Sequence, residues 1–180
     1  GSDSLYELVE NLTELAQKGI QFIIATGGKD VNKTNLPQGI FLEDFVNADA
    51  LLPFCHLVCC HGGNGTLYQA LQHGLPCVSV STHAEQAVGS KRIQELGLGI
   101  SLTLKQIRRS GVSQLVDAVQ YVLKDKRFME KSKSFCLNFK GINGAINASD
   151  QIERYFRASM AIELPHHLSK RKVALSNLIT

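Results

Sequence analysis

A glycine-rich segment between residues 57 and 74 constrains the fold of this chain more than any other. Its sequence is LVCCHGGNGTLYQALQHG, in which a short apolar run leads into a turn rich in glycine. Apolar residues at Leu67, Ala70 and Leu71 then follow helical spacing, and Gly74 with a proline two residues later marks the end of the helix. The segment therefore predicts a strand, a glycine turn and a helix in direct succession.

The glycine turn, residues 61–65, has two interpretations. Backbone N–H groups at a helix start are unpaired and point outward, and glycine allows an anion to approach them closely. The turn is therefore a candidate phosphate site. The alternative is a tight strand-to-helix connection that binds no ligand, and the glycine pattern alone leaves both open.

The remainder of the chain alternates short apolar runs with helical patterns. Strands are predicted over 21–25, 39–46, 56–60, 76–81 and 99–102, and helices over 4–18, 48–54, 85–96, 112–123 and, after a polar link, within 144–160. This alternation is typical of an α/β fold, a Rossmann-like parallel sheet with helices on both faces. Because such a sheet usually starts on a strand and this chain starts on a helix, we expect a fragment cut after a first strand. Ligands bind beyond the carboxyl ends of the strands, which predicts a site formed by 26–28, 46–48, 61–66 and 81–86.

The composition indicates which binding partners and which cellular compartment to expect. The net charge of +3 does not favour nucleic acid, and no apolar run reaches the length of a membrane span. The five cysteines are an odd number without a C-x-x-C pair, which predicts a cytoplasmic protein with free thiols, largely in the core, and we expect Cys59 and Cys60 there. Adjacent strand residues point to opposite faces, so His56, Cys59, Cys60 and His61 are not expected to share a metal.

Several segments, taken in order, resemble the C-terminal half of a GT-B glycosyltransferase. They are FIIATGG at 22–28, the stretch 44–86 and LGLGISL at 96–102, and the branch is that of the antibiotic, sterol and glucuronosyl transferases. The specific combination is an H-G-G-x-G-T turn, a helix, G-x-P and an acidic-Gln pair. The resemblance implies a nucleotide-sugar donor-binding domain at 1–164, a tail at 165–180, and an N-terminal acceptor domain outside this chain.

The same resemblance implies which residues bind the donor. His61 would meet a phosphate, the turn backbone with the Thr66 hydroxyl would hold the diphosphate, and Glu85 with Gln86 would bind sugar hydroxyls. The full set is His61, Gly63, Asn64, Gly65, Thr66, Glu85, Gln86, Val46 along the base, and Gly27. No D-x-D pair is present to hold a cation over phosphates, so we expect no metal and no cofactor apart from the UDP- or TDP-linked donor as substrate.

The resemblance also implies the mechanism. Members of this branch invert the anomeric carbon, using a base on the acceptor domain, which lies in the same or another chain. We therefore expect a hexosyltransferase fragment that contains no catalytic residue and is inactive alone. The departures from the family pattern are Asn47 and Ser81 where Pro is usual, Glu85 where Asp is usual, and Gly89 where Asn or Trp is expected.

Two other functions stay open. The departures leave room for a non-catalytic partner or a degenerate donor-binding subunit. An NAD-type dinucleotide-binding domain would use Gly63, Gly65 and the acid Glu85. Tyr68 occupies the place of its third glycine, and the turn follows a middle strand, so this alternative is weaker. Gly1 and Ser2 are either a cloning remnant or the end of a first strand, where Ser2 would contact phosphate.

Overall fold

The structure, a computed structural model, describes residues 2–29 and 33–160, so the predicted tail from residue 165 lies outside the described residues. Packing divides the chain into two compact units, residues 1–139 and residues 140–180, and each is described by itself. The first unit contains the parallel strands with helices on both faces, which confirms the predicted α/β class.

The elements follow the predicted order, with two additions. They are α1 (Ser2–Gln17), β1 (Phe22–Ala25), β2 (Ile40–Glu43), α2 (Ala48–Leu51) with a 3₁₀ turn (Leu52–Phe54), β3 (Val58–Cys60), α3 (Asn64–Gln72), β4 (Cys77–Ser81), α4 (Ala84–Glu95), β5 (Gly99–Thr103), α5 (Leu104–Ser110), α6 (Ser113–Lys124), α7 (Lys126–Leu137) and α8 (Gly144–Met160). The prediction of a polar link before the last helix is wrong, because residues of this link form α7. Asp125 starts that helix, since its carboxylate accepts from the Arg127 amide at 3.1 Å.

All strand pairs are parallel, but the strands form two sheets instead of one. β1 pairs with β2, and β3, β4 and β5 pair in that order. Phe22 of β1 and Leu57, just before β3, pack against the same core cluster, although no ladder joins the two strands. Within residues 2–29 and 33–160, β1 and β3 therefore each keep one unpaired edge beside a shared core.

Two helix layers bury the two faces of the three-stranded sheet. Cys77 and Val78 are successive residues of β4, both fully buried, and they point to opposite faces. Cys77 joins the cluster formed with α3 and α4, whose buried members include Leu67, Ala70, Leu71 and Ile93. Val78 joins the cluster formed with α1 and α6, which contains Leu15, Ala118, Val119 and Val122.

The expectation that Cys59 lies in the core is wrong, whereas Cys60 is half-buried against the cluster under α3. Cys59 belongs to β3, whose second edge pairs with no strand, and the residue is exposed. Enough protein still surrounds its sulfur that desolvation raises the pKa of the Cys59 thiol to about 12. A cavity of about 240 Å³ opens at this position, lined by Cys59, Cys60, His61, Val78, Val80 and Leu115.

The second unit contains α8, the predicted last helix. The Asn143 side chain starts it by accepting from the amides of Ala145 and Ile146, each at 3.1 Å. The apolar residues of α8 are exposed at Ile146, Ile152, Tyr155 and Phe156. Among the described residues, no helix combines the length and the hydropathy that crossing a membrane requires.

Candidate functional site

The glycine turn has the predicted geometry. β3 ends at Cys60, Gly63 is the extended N-cap residue of α3 with φ −66° and ψ 139°, and α3 begins at Asn64. The helix ends at Gln72, and Gly74 turns the chain away with φ +68°. The strand, turn, helix and end signal expected from residues 57–74 are therefore confirmed as one local unit.

Gly62 allows the turn to pack closely against α4. Its φ of +84° lies in the left-handed region, and a Cβ built on it would overlap the hydroxyl oxygen of Ser90. The same Cβ would lie 3.2 Å from the carbonyl oxygen of Gln86. Ser90 is fully buried, and its hydroxyl has no hydrogen-bond partner in the part of the chain that the structure describes. Only glycine allows the turn and α4 to approach this closely.

The first turn of α3 presents three backbone donors. The Leu67 amide donates to the Gly63 carbonyl at 3.1 Å, which is the first bond of the helix. The preceding amides of Asn64, Gly65 and Thr66 have no carbonyl within the helix to accept from them. A Cβ on Gly65 would meet no atom within 4 Å, so the approach to these amides is open. The arrangement suits an anion, because the helix dipole adds positive potential at the same place.

His61 lies beside these donors. His61 is exposed, and its ring nitrogen Nε2 lies 2.5 Å from the position that a Cβ on Gly63 would take. The imidazole therefore lies across Gly63, where any side chain at position 63 would displace it. A ring N–H in this place adds a fourth donor next to the amides of α3.

The acidic-Gln pair lies in the first turn of α4, which begins at Ala84 shortly after β4. Gln86 is half-buried, and its side-chain oxygen accepts from the amide and from the hydroxyl of Thr82, both at 2.9 Å. This oxygen is therefore occupied locally, and the side-chain NH₂ remains to donate to a ligand. Glu85 is exposed in the first turn of α4 and offers carboxylate oxygens that accept.

The structure brings the glycine turn and the acidic-Gln pair together. β3 and β4 are hydrogen-bonded neighbours with Cys60 opposite Ser79, so their carboxyl ends share one edge of the sheet. Across that edge the side-chain amide of Asn64 donates to Glu85 Oε1 at 3.5 Å. One edge of the sheet thus carries a group of hydrogen-bond donors and acceptors, which are His61, Gly63, Asn64, Gly65, Thr66, Glu85 and Gln86.

Gly27 and Val46 lie at the ends of the other sheet. The Gly27 amide donates to the Asp44 carbonyl at 2.9 Å, and Val46 is half-buried two residues later. A hydrogen bond from Lys33 at 2.7 Å lowers the pKa of the Asp44 carboxyl. The ring of Phe45 is 77% exposed and passes 3.3 Å from a Cβ built on Gly28. These residues form a second patch, and no described contact joins Gly27 or Val46 to the glycine turn.

Sequence reasoning missed two contacts of the site. It noted Gly89 only as a departure, yet a Cβ there would lie 3.2 Å from Asn64 Oδ1, so this glycine leaves room for Asn64. It also noted Asn47 only as a missing proline, whereas the Asn47 side chain starts α2 by accepting from Ala50 at 3.2 Å. Among residues 2–29 and 33–160, no group of three or more His, Cys, Asp and Glu side chains is placed to hold a metal.

Comparison with known proteins identifies relatives over most of the chain. Residues 7–138 match the family described as "Erythromycin biosynthesis protein CIII-like, C-terminal domain". NDP-glycosyltransferase YjiC of Bacillus subtilis is 29% identical over 140 residues, which cover 76% of this chain and 35% of YjiC. Aclacinomycin-T 2-deoxy-L-fucose transferase of Streptomyces galilaeus is 32% identical over 128 residues, which cover 71% of this chain and 28% of that enzyme.

A solved structure shows the same fold. The glycosyltransferase SsfS6 of Streptomyces sp. SF2575, complexed with thymidine diphosphate, superimposes with a TM-score of 0.62 at 22% identity. The match covers 83% of this chain and 37% of SsfS6. This chain therefore spans about a third of the length of the proteins it matches.

Proposed function

Since this chain belongs to the family of EryCIII-like C-terminal domains and has the fold of the C-terminal half of a GT-B glycosyltransferase, we propose that it binds the nucleotide diphosphate-sugar donor of an inverting glycosyltransferase. One observation carries the proposal. The three free amides of α3 and the Glu85 carboxylate meet through Asn64 at the ends of two neighbouring parallel strands. Hydrogen-bond donors for a diphosphate therefore lie next to a hydrogen-bond acceptor for sugar hydroxyls.

Each part of the donor has its partners in this arrangement. The amides of Asn64, Gly65 and Thr66, the Thr66 hydroxyl and the His61 ring bind the diphosphate oxygens. The carboxylate of Glu85 accepts from sugar hydroxyls, and the Gln86 NH₂ donates to them. The second patch, with Gly27 and Val46, lies along the nucleoside. SsfS6, which shares the fold, was solved with thymidine diphosphate bound, which favours a TDP- or UDP-linked donor.

The chemistry follows from where negative charge develops. An acceptor hydroxyl oxygen forms a bond to the anomeric carbon, and the bond from that carbon to the diphosphate oxygen breaks. The electron pair leaves with the diphosphate, and the acceptor's proton goes to a base. The oriented N–H groups and the dipole of α3 stabilise the charge that grows on the leaving group, more strongly in the transition state than in the bound donor.

This chain supplies the leaving-group half of the reaction and no base. The base and the acceptor pocket belong to an N-terminal domain, in the same or another chain. The coverage of about a third of each relative supports this division, since a two-domain enzyme needs more than this length. The unpaired edges of β1 and β3 support it as well, because one further strand would complete the sheet.

Calorimetric titration of the chain with TDP, UDP and NAD tests the proposal. We expect saturable one-site binding of TDP or UDP, weakened in His61→Ala and unchanged in Gln72→Ala, a matched variant at the far end of α3. Binding of NAD without either nucleoside diphosphate would favour a dinucleotide-binding domain instead. Sugar transfer by the chain alone would contradict the assignment of the base to another domain.

A further inference from the structure

The Asn64 side chain bridges the two halves of the donor site. It extends from the first residue of α3, and its NH₂ donates to Glu85 Oε1 at 3.5 Å. Glu85 lies 21 positions later, in the first turn of α4. Because a carboxylate only accepts, the Asn64 amide has to present its nitrogen to Glu85 and its oxygen to the other side.

Gly89 provides the space on that other side. A Cβ built on Gly89 would lie 3.2 Å from Asn64 Oδ1 and 3.4 Å from Leu67 Cδ1. The first distance is tighter than ordinary contact between a carbon and an oxygen, so a Cβ at 89 would shift the Asn64 amide by a few tenths of an ångström, which is enough to weaken a hydrogen bond that is already 3.5 Å long. Asn64 thus occupies the volume that a larger residue at 89 would fill.

We propose that Asn64 is a positioning residue for the sugar, holding the Glu85 carboxylate beside the diphosphate turn, and that Gly89 is required for this. The inference rests on the proposed donor-binding function and deepens it. A glutamate has one more rotatable bond than an aspartate, so an exposed Glu85 needs a partner to keep its carboxylate in one place. Asn64 is that partner.

The bridge defines the class of sugar that the site selects. Asn64 occupies one acceptor position of Glu85 Oε1, whereas Oε2 keeps all of its acceptor positions for a ligand. A hexose that directs a hydroxyl donor at Oε2 is bound. A sugar that lacks this hydroxyl does not make this hydrogen bond and binds more weakly.

The test compares TDP with TDP-glucose on the full chain, because only the sugar reports on Glu85. In Asn64→Ala we expect the affinity for TDP-glucose to fall about fivefold, the loss typical of one hydrogen bond, while the affinity for TDP stays within twofold. Gly89→Ala should show the same pattern. Adding Gly89→Ala to Asn64→Ala should not lower the affinity for TDP-glucose further, since the two substitutions break the same contact.

Each other outcome has a distinct meaning. Unchanged TDP-glucose affinity in Asn64→Ala overturns the positioning role, and an equal loss for TDP and TDP-glucose overturns it too, because Asn64 would then act on the diphosphate. If the unsubstituted chain binds neither ligand, the donor function itself has failed.

The bridge is also measured without any ligand, by NMR of the Asn64 side-chain amide. Its ¹⁵N–¹H₂ signals should shift in Glu85→Ala and in Gly89→Ala, and they should not shift in Gln72→Ala. Signals that stay in place in Glu85→Ala would show that Asn64 and Glu85 are not paired, whether or not a donor binds.

Discussion

Replacement of Gly62 by alanine tests the packing of the glycine turn against α4. The substituted residue would keep a φ of +84°, which costs an L-residue about 1–2 kcal/mol. Its Cβ would also overlap Ser90 Oγ and press on the Gln86 carbonyl oxygen, and such overpacking costs about 1–3 kcal/mol. We therefore expect the free energy of unfolding to fall by about 2–5 kcal/mol.

Urea denaturation monitored by circular dichroism measures this change, with an unchanged m-value as evidence that the unfolded state is unaffected. The matched control is Gly65→Ala, because a Cβ there meets nothing within 4 Å and lies in the first turn of α3. Alanine at 65 should be neutral or stabilise by up to about 1 kcal/mol.

A second variant separates the two costs. Ser90→Ala alone removes a buried hydroxyl that has no partner, so it should be neutral or stabilising. Combined with Gly62→Ala, it should restore the part of the loss due to overlap with Ser90 Oγ and leave the parts due to φ and to the Gln86 carbonyl oxygen. A Gly62→Ala protein as stable as Gly65→Ala would refute the packing described for the turn.

Three further predictions concern binding, pH and the open sheet edges. Gly65→Ala should weaken TDP binding about tenfold or more in calorimetry without lowering Tm, because a methyl group blocks close approach to the α3 amides; unchanged affinity would place the diphosphate elsewhere. Burial raises the pKa of the Cys77 thiol above its ordinary value of 9.0, so the unfolded chain loses this proton first as pH rises. Above about pH 9 this one thiol should therefore contribute a fall in stability of up to about 1.4 kcal/mol per pH unit, and urea unfolding of Cys77→Val from pH 8 to 10 should show a slope flatter by that contribution; an unchanged slope would contradict this. A six-residue strand of alternating valines fused ahead of residue 1 should slow hydrogen exchange in β1 and β3 relative to a Gly-Ser extension of equal length; equal exchange would show that the two edges do not accept a strand.

The glycine turn could be predicted from sequence because its determinants are local. The apolar run, the glycines, the spacing of Leu67 and Leu71 and the end signal at Gly74 all act within 18 residues. The same holds for α8, whose apolar residues recur at helical spacing. By contrast, α7 is rich in charged residues, and its start depends on Asp125 accepting from Arg127. Its apolar residues Phe128, Met129, Phe135 and Cys136 do recur at helical spacing, but the charged residues between them led to the prediction of a link.

Non-local contacts could not be predicted. Cys59 stands in an apolar run and was expected in the core, yet exposure depends on whether another strand pairs with β3. The contact between Asn64 and Glu85 joins residues on two helices, and the periodicity of neither helix contains it. Gly89 stood out in the sequence only as an unusual residue, and its role became apparent from the distance to Asn64.

Binding of a diphosphate at the start of α3 is tested most directly by ¹H–¹⁵N NMR of the chain during titration with TDP. The amides of Asn64, Gly65 and Thr66 are free of intrahelical partners and should show the largest shifts, saturating with one dissociation constant. Smaller shifts are expected at Gly27 and Val46, along which we propose that the nucleoside binds. Saturable binding that leaves the three α3 amides unmoved, or no binding at all, would contradict the assignment of this turn to the donor diphosphate.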